Sequence, residues 1–293
     1  MKSKVLLSFD VEEFDLPMEY GGKISLAEGV KMSAVGVEKI LDMTRRCGVK
    51  ATFFVTGNFA EGRPDLVERM VREGHEVGCH GVDHFEPKVT DVEKSREIVG
   101  KVVEKCVKKC AGGSDAEDGG HAGGRGRRSG SDMVLGWRQP RMFKIDYGEL
   151  KRCGFMYDTS VNPAWIPGRY NNFGVARMPY DVSGVTEVPV SVATGLRVPL
   201  FWLALHLFPL GVYEWLARRA LAETGYLATY FHPWEFNEEI KRYSVVPGYI
   251  RKTSGGHMVK RLEKVIMGLK KRGCEFEGYG EFVEEYRQTS KMV

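Results

Sequence analysis

The chain has 293 residues, 43% hydrophobic and 28% charged, a composition that supports a sizeable core and excludes disordered and fibrous classes. At ~150 residues per domain the length allows two domains, but a barrel of alternating strands and helices spends about 200 to 250 residues on one core. Its 43 basic and 39 acidic residues are spread along the chain and leave a net charge of +4, so nucleic acid is not an expected partner.

Lys4 to Asp10 reads as a buried strand ending in acids, and Val37 to Cys47 shows apolar residues at helical spacing closed by Gly48. The alternation continues. Lys50 to Val55 is β-rich, Arg63 to Glu73 is an amphipathic helix with Pro64 in its first turn, and His75 to Cys79 is another strand. A helix is expected over Val89 to Lys109, then strands at Met133–Trp137, Phe155–Tyr157, Thr186–Val192 and Leu227–Phe231, and a helix at Gly256–Lys271. Such alternation implies a mostly parallel sheet, open or closed into a barrel.

Between Ala111 and Asp132 the composition turns to Gly, Ser and charge, too poor in apolar groups to offset the entropy of ordering. Residues 111–132 are therefore expected to be a flexible insertion within one domain spanning 1–293. The six dispersed cysteines form no CxxC pair and are read as reduced thiols. The N-terminus lacks the apolar core of a secretion signal, so a cytoplasmic location is expected. Val198 to Tyr213 is almost wholly apolar but holds Pro199, His206 and Pro209 and is shorter than a membrane span. It is expected to be a buried or surface-docking helix, and residues 198–219, with Arg218 and Arg219, offer a peripheral membrane contact.

In parallel α/β folds functional groups collect at the C-terminal ends of strands. Here those ends carry Asp10 and Glu12, His80 and His84, Arg138, and His232. Asp10 and Glu12, two apart on an extended strand, share a face, although Glu12, Glu13 and Asp15 also read as a solvated acidic loop. His80 and His84 have the four-residue spacing that can present both rings to one metal. Two imidazoles and one carboxylate form a catalytic-type ligand set with open positions, best suited to zinc, with cobalt, nickel or iron as alternatives.

In order along the chain, Ser8-Phe9-Asp10-Val11-Glu12, His80 to His84, Gly136-Trp137-Arg138-Gln139-Pro140 and Thr229-Tyr230-Phe231-His232-Pro233 resemble the motifs of the polysaccharide deacetylases of the NodB-homology type, carbohydrate esterase family 4. The resemblance implies a distorted (β/α) barrel. It also implies that Asp10 is the general base, that Glu12, His80 and His84 hold the metal, that Arg138 pairs with and orients Asp10, and that His232 is the general acid. Val11 stands where the commoner family pattern has a second Asp, which makes Glu12 the replacement. The family's Asp-Trp motif supporting the acid histidine is not evident; Asp158 is its candidate substitute, with a structural or substrate-binding role equally open, and Trp234, two residues past His232, is the best candidate to stack on a sugar.

The expected function is hydrolysis of an N-acyl group, N-acetyl foremost, from an amino sugar in a glycan or glycolipid precursor: a hydrolase of non-peptide carbon–nitrogen bonds with a carbohydrate or lipid-linked sugar as its partner. Three alternatives accompany it: an allantoinase-like amidohydrolase on a small non-sugar molecule, a deformylase of a lipid-linked amino sugar, and a non-catalytic carbohydrate-binding homologue.

Overall fold

The structure, a computed structural model, describes residues 2–84, 91–110, 133–167, 170–193 and 195–290. The expected insertion over 111–132 lies outside the described residues, as does Val89. In chain order the strands are β1 (Lys4–Val11), β2 (Thr52–Val55), β3 (Glu76–Cys79), β4 (Gly136–Trp137), β5 (Tyr157–Asp158), β6 (Trp165–Ile166), β7 (Tyr170–Asn171), β8 (Tyr180–Val182), β9 (Val185–Glu187), β10 (Tyr226–Phe231) and β11 (Glu275–Phe276).

β6 and β7 form a small hairpin of their own. The main sheet runs β10-β1-β2-β3-β4-β5-β9-β8, with β11 also paired to β1. All its pairings are parallel except β8 with β9. Strands on both sides of the 111–132 insertion thus share one sheet, through the pairing of Cys79 with Trp137.

β1 is central and covered on both faces, which is why it reads as a nearly continuous apolar run. Val5, Leu7, Phe9 and Val11 pack outward with the helices. The alternate side chains turn inward, and Leu6 joins Phe54, Tyr157, Tyr226 and Tyr279 in an interior cluster. Tyr279, at the start of the C-terminal helix Tyr279–Ser290, stacks on Tyr157 at 5.7 Å and helps fill the barrel from within. Its ends are joined irregularly: beyond β9, the Ser191 amide donates to the Ala228 carbonyl and the Ala228 amide to Ser191 Oγ, both at 2.9 Å. The result is a curled, distorted barrel of the expected α/β class. The expected strand over Thr186–Val192 is shorter because the chain leaves the sheet after Glu187 to make this closure.

Two helices depart from expectation. The Leu26–Cys47 helix begins well before Val37, with a capping box between Ser25 and Glu28, and ends at Gly48 with φ +60°. Its buried face over the first turns includes Gly29, Ser33 and Gly36, so small residues hide the periodicity. The apolar segment 198–213 is not one helix. It divides into Trp202–Leu207 and Leu210–Thr224, with Pro209 at the boundary, where a ring and a missing N–H break helical continuity. Leu200, Phe201, Ala204, Leu205 and Tyr213 are buried, whereas Leu207, Val212 and Trp215 are exposed. Among the described residues no helix is long and apolar enough to cross a membrane.

Candidate active site

Strands β1, β3, β4 and β10 run parallel, so the residues just past their C-terminal ends meet at one mouth of the barrel. Glu12 follows β1, and His80 and His84 lie in the loop after β3. That loop turns at Gly81, whose φ is +79° and where a Cβ would stand 2.9 Å from Pro140. Glu12 Oε2 lies 3.4 Å from His80 Nε2 and 2.9 Å from His84 Nε2. The two rings stack with centroids 5.5 Å apart.

The other ring nitrogens are occupied. His80 Nδ1 donates to the Arg138 carbonyl at 2.8 Å, and His84 Nδ1 sits 3.0 Å from Asp15 Oδ2. Each ring is therefore held with Nε2 toward Glu12. Glu13 points the other way and fixes the loop, accepting from Thr56 Oγ1 at 3.0 Å and from the His84 amide at 3.2 Å; burial still pushes its carboxyl up to about 7.

These residues fit a cation. Glu12, His80 and His84 present three ligand atoms within 4.8 Å of one another, and all three residues are buried. Glu12 Oε2 has no hydrogen-bond partner although it is buried, while Oε1 accepts from Trp234 Nε1 at 3.3 Å. Burial opposes the charge on Glu12, yet His84, His232 and His80 hold its carboxyl well below the usual range. Burial likewise opposes charge on His84, and Glu12 with Asp15 raises it well above the ordinary histidine value. Both shifts express the mutual attraction of the Glu12 carboxylate and the imidazoles around it.

Asp10 and Arg138 pair as the resemblance implies, with Arg138 Nη1 2.5 Å from Asp10 Oδ1. The guanidinium is wholly buried and fully engaged. It donates to Ser8 Oγ at 2.9 Å, the Thr159 carbonyl at 3.1 Å, and Thr159 Oγ1 and Tyr279 Oη at 3.3 Å each. It also lies over the Phe54 ring at 4.3 Å and the Tyr230 ring at 4.9 Å. Burial works against its charge, but Asp10 outweighs it and the guanidinium remains protonated.

His232, just past β10, donates from Nδ1 to Glu235 Oε1 at 3.0 Å, and its amide donates to the same oxygen at 2.6 Å. Its ring stacks on Trp234 at 5.0 Å and meets Trp202 edge-on at 5.4 Å. Nε2 remains for the cavity. Burial disfavours a charged ring, but Glu12, Glu235 and Asp10 raise its pKa above the ordinary value.

Of the roles open to Asp158, its contacts fit the structural one. The carboxylate that supports His232 is Glu235, three residues on. Asp158 accepts from the Ser160 amide at 3.1 Å and Ser160 Oγ at 2.7 Å, and it does not line the cavity. Burial raises both its carboxyl and that of its neighbour Glu187. Trp234 does line the cavity, but at 2% exposure it serves as a clamp on Glu12 and a floor for His232. Cys79, beside His80, points into the core, and burial pushes its thiol up to about 12.

The cavity has a volume of about 180 Å³ and is lined by Asp10, Glu12, His80, His84 and His232, with Tyr170, Phe201, Trp202, Tyr230 and Tyr249 among its walls. Sequence reasoning missed the residues behind these. Asp15 bridges His84 to Arg141, which also binds Glu19, and Arg141 and Met142 both have φ +54°. The one legible signal was their nearness to the motifs.

Residues 19–109 match the family model described as polysaccharide deacetylase. Over that stretch the chain is similar to the polysaccharide deacetylases. Residues 159–277 match a second model, described as a domain of unknown function (DUF3473).

Over 70 residues the chain is 35% identical to a peptidoglycan N-acetylmuramic acid deacetylase of Bacillus subtilis (24% of this chain, 27% of that protein). Over 64 residues it is 41% identical to a peptidoglycan N-acetylglucosamine deacetylase of Listeria monocytogenes (22% and 13%). It is 43% identical over 74 residues to an uncharacterized 30.6 kDa protein of Geobacillus stearothermophilus (25% and 28%). These matches span less than a third of the relatives' own lengths. The fold of this chain resembles that of a probable polysaccharide deacetylase from Pseudomonas aeruginosa PAO1 (TM-score 0.58, 15% identity, 97% of this chain, 91% of that one). It is also similar to Puue allantoinase (TM-score 0.56, 15% identity, 98% and 90%).

Proposed function

We propose that this protein is a metal-dependent deacetylase that hydrolyses the N-acetyl amide of an amino sugar in a glycan or glycan precursor. The observation that carries this reading is the convergence of the Asp10–Arg138 pair, the Glu12/His80/His84 cluster and His232 on one cavity. An amide is a poor electrophile with a poor leaving group, so its hydrolysis needs carbonyl polarisation, an activated water and a proton for nitrogen.

A divalent cation held by Glu12, His80 and His84, zinc by the chemistry of that donor set, supplies the Lewis acidity that polarises the carbonyl and eases ionisation of the water. Asp10 accepts the proton of the attacking water. Arg138 fixes its carboxylate and offsets its charge, so the base is aimed without a rotamer search. His232, with Nδ1 committed to Glu235, delivers its Nε2 proton to the departing amine. Trp202 and Tyr230 wall the site, exclude water and offer ring faces to the C–H bonds of a sugar.

The test is acetate release from N-acetylated chitooligosaccharides and peptidoglycan fragments, before and after chelation and zinc readdition, beside a panel of cyclic ureides. Zinc-restored acetate release is the expected result. Turnover of a ureide with no acetate from any sugar would overturn the substrate class. Unchanged turnover after complete metal removal would overturn the metal assignment.

A further inference from the structure

His206 is a histidine within an almost wholly apolar run, and the proposed chemistry does not call on it. Its side chain has 0% exposure, as does that of Glu235. An imidazole buried in apolar surroundings is costly unless its nitrogens are satisfied, and both are. Nε2 lies 3.0 Å from Glu235 Oε2, and Nδ1 contacts Thr253 Oγ1. The Thr253 hydroxyl donates to Nδ1, which leaves the single proton of a neutral His206 ring on Nε2 for Glu235. Glu235 is thereby gripped at both oxygens, Oε1 by the amide and ring of His232 and Oε2 by His206. Trp202 meets both rings edge-on, at 5.7 Å to His206 and 5.4 Å to His232.

We propose that His206 is a positioning residue for His232, acting through Glu235 in a buried Thr253–His206–Glu235–His232 chain that holds the Nδ1 proton of His232 on Glu235 and so keeps Nε2 as the nitrogen that exchanges a proton with the substrate. The chain draws on three segments distant in sequence: the Trp202–Leu207 helix, the turn Pro233–Phe236 and the Gly248–Thr253 helix. Without the His206 donor, Glu235 Oε2 is a buried acceptor with no partner. The carboxylate then gains by rotating or by taking up a proton, and either change loosens its hold on His232 Nδ1. The catalytic consequence rests on the deacetylase reading; the structural link does not.

The experiment pairs two readouts on zinc-supplemented protein. Nitrogen-15 shifts of labelled histidine report the His232 tautomer, and acetate release from chitotetraose reports kcat and KM. In the wild type His232 is expected as the Nδ1–H tautomer. In His206→Leu the tautomers mix, and kcat falls about tenfold or more while KM stays within about twofold. In His206→Gln, whose amide can donate to Glu235, most of kcat returns.

A folded His206→Leu variant with an unchanged His232 tautomer and unchanged kcat overturns the proposal. If that variant does not fold, Thr253→Val decides, because it removes only the donor behind His206: a mixed tautomer supports the chain and an unaltered one sinks it. Because the tautomer is read without turnover, a protein inactive on every N-acetyl sugar still tests this link.

Discussion

Asp10 and Glu12 point toward the same mouth but have opposite partners: Asp10 meets a permanent cation, Arg138, whereas Glu12 meets two imidazoles and leaves one buried oxygen without a donor. The two carboxylates are therefore separable by experiment. Asp10→Asn should leave zinc stoichiometry at the wild-type level by elemental analysis while lowering acetate release by about 10²–10⁴-fold. His80→Ala and His84→Ala should each lose zinc in a titration calorimeter together with activity. Zinc retained undiminished in the double histidine variant would remove Glu12, His80 and His84 as the ligand set.

His232 offers a second residue-scale test. Burial lowers its tendency to hold a proton, and Glu12, Glu235 and Asp10 more than offset that, so the protonated acid persists above the ordinary histidine pKa and the alkaline limb of kcat should lie there. Removing one of those charges in Glu235→Gln should move that limb to lower pH; an unmoved limb would assign it to another group. The catalytic residues themselves were legible because each closes a strand. Glu235, His206 and Asp15 were not, because their meaning lies in contacts such as His206 with Glu235, made between separate segments.

At the scale of elements, the Leu26–Cys47 helix sets the height of His232. A Cβ on Gly36 would stand 1.8 Å from the Pro233 carbonyl oxygen, so this helix is glycine at the point where it supports the turn carrying His232 and Glu235. Helix propensity favours alanine over glycine by about 1 kcal/mol, but a clash with backbone outweighs that. Gly36→Ala should destabilise the fold by about 1–3 kcal/mol in urea titrations and lower kcat, because the turn must shift. Gly211, in another helix with nothing within 4 Å of its would-be Cβ, is the control: Gly211→Ala should be neutral or stabilising. Equal effects at both positions would refute the close-approach argument. The same glycine explains the missed helix start, since a buried face built from Gly29, Ser33 and Gly36 gives no apolar period to read. Pro209, by contrast, was a visible break, outweighed in the reading by the apolar run around it.

For the whole molecule, alternating strands and helices made the α/β class legible, but the way the barrel closes was not. It depends on an irregular segment in which Ser191 bonds to Ala228, a contact with no periodic signature. Global stability in turn leans on an inner residue that no motif marks. His75 Nδ1 accepts from the Ala51 amide at 3.2 Å, Nε2 faces Thr44 Oγ1 at 3.4 Å, and the ring meets Phe53 edge-on at 5.1 Å. It thus ties the Leu26–Cys47 helix to β2 and β3. Protonating Nδ1 would forfeit the bond to Ala51, and burial, with Lys50 nearby, lowers the pKa to about 4 from an ordinary 6.5.

Because the folded value lies below the unfolded one, the unfolded chain binds the proton first as pH falls. Stability is full above about pH 6.5 and drains away between there and about pH 4, with about 2 kcal/mol lost from pH 7 to pH 5 through this group. His75→Asn, which can present an acceptor to Ala51 but does not titrate, should be somewhat less stable at pH 7 yet show a loss between pH 7 and pH 5 smaller by about that 2 kcal/mol in paired urea titrations. An identical loss in variant and wild type would mean that His75 is not the acid-sensitive joint and that the carboxylates at the barrel mouth set the acid limit instead.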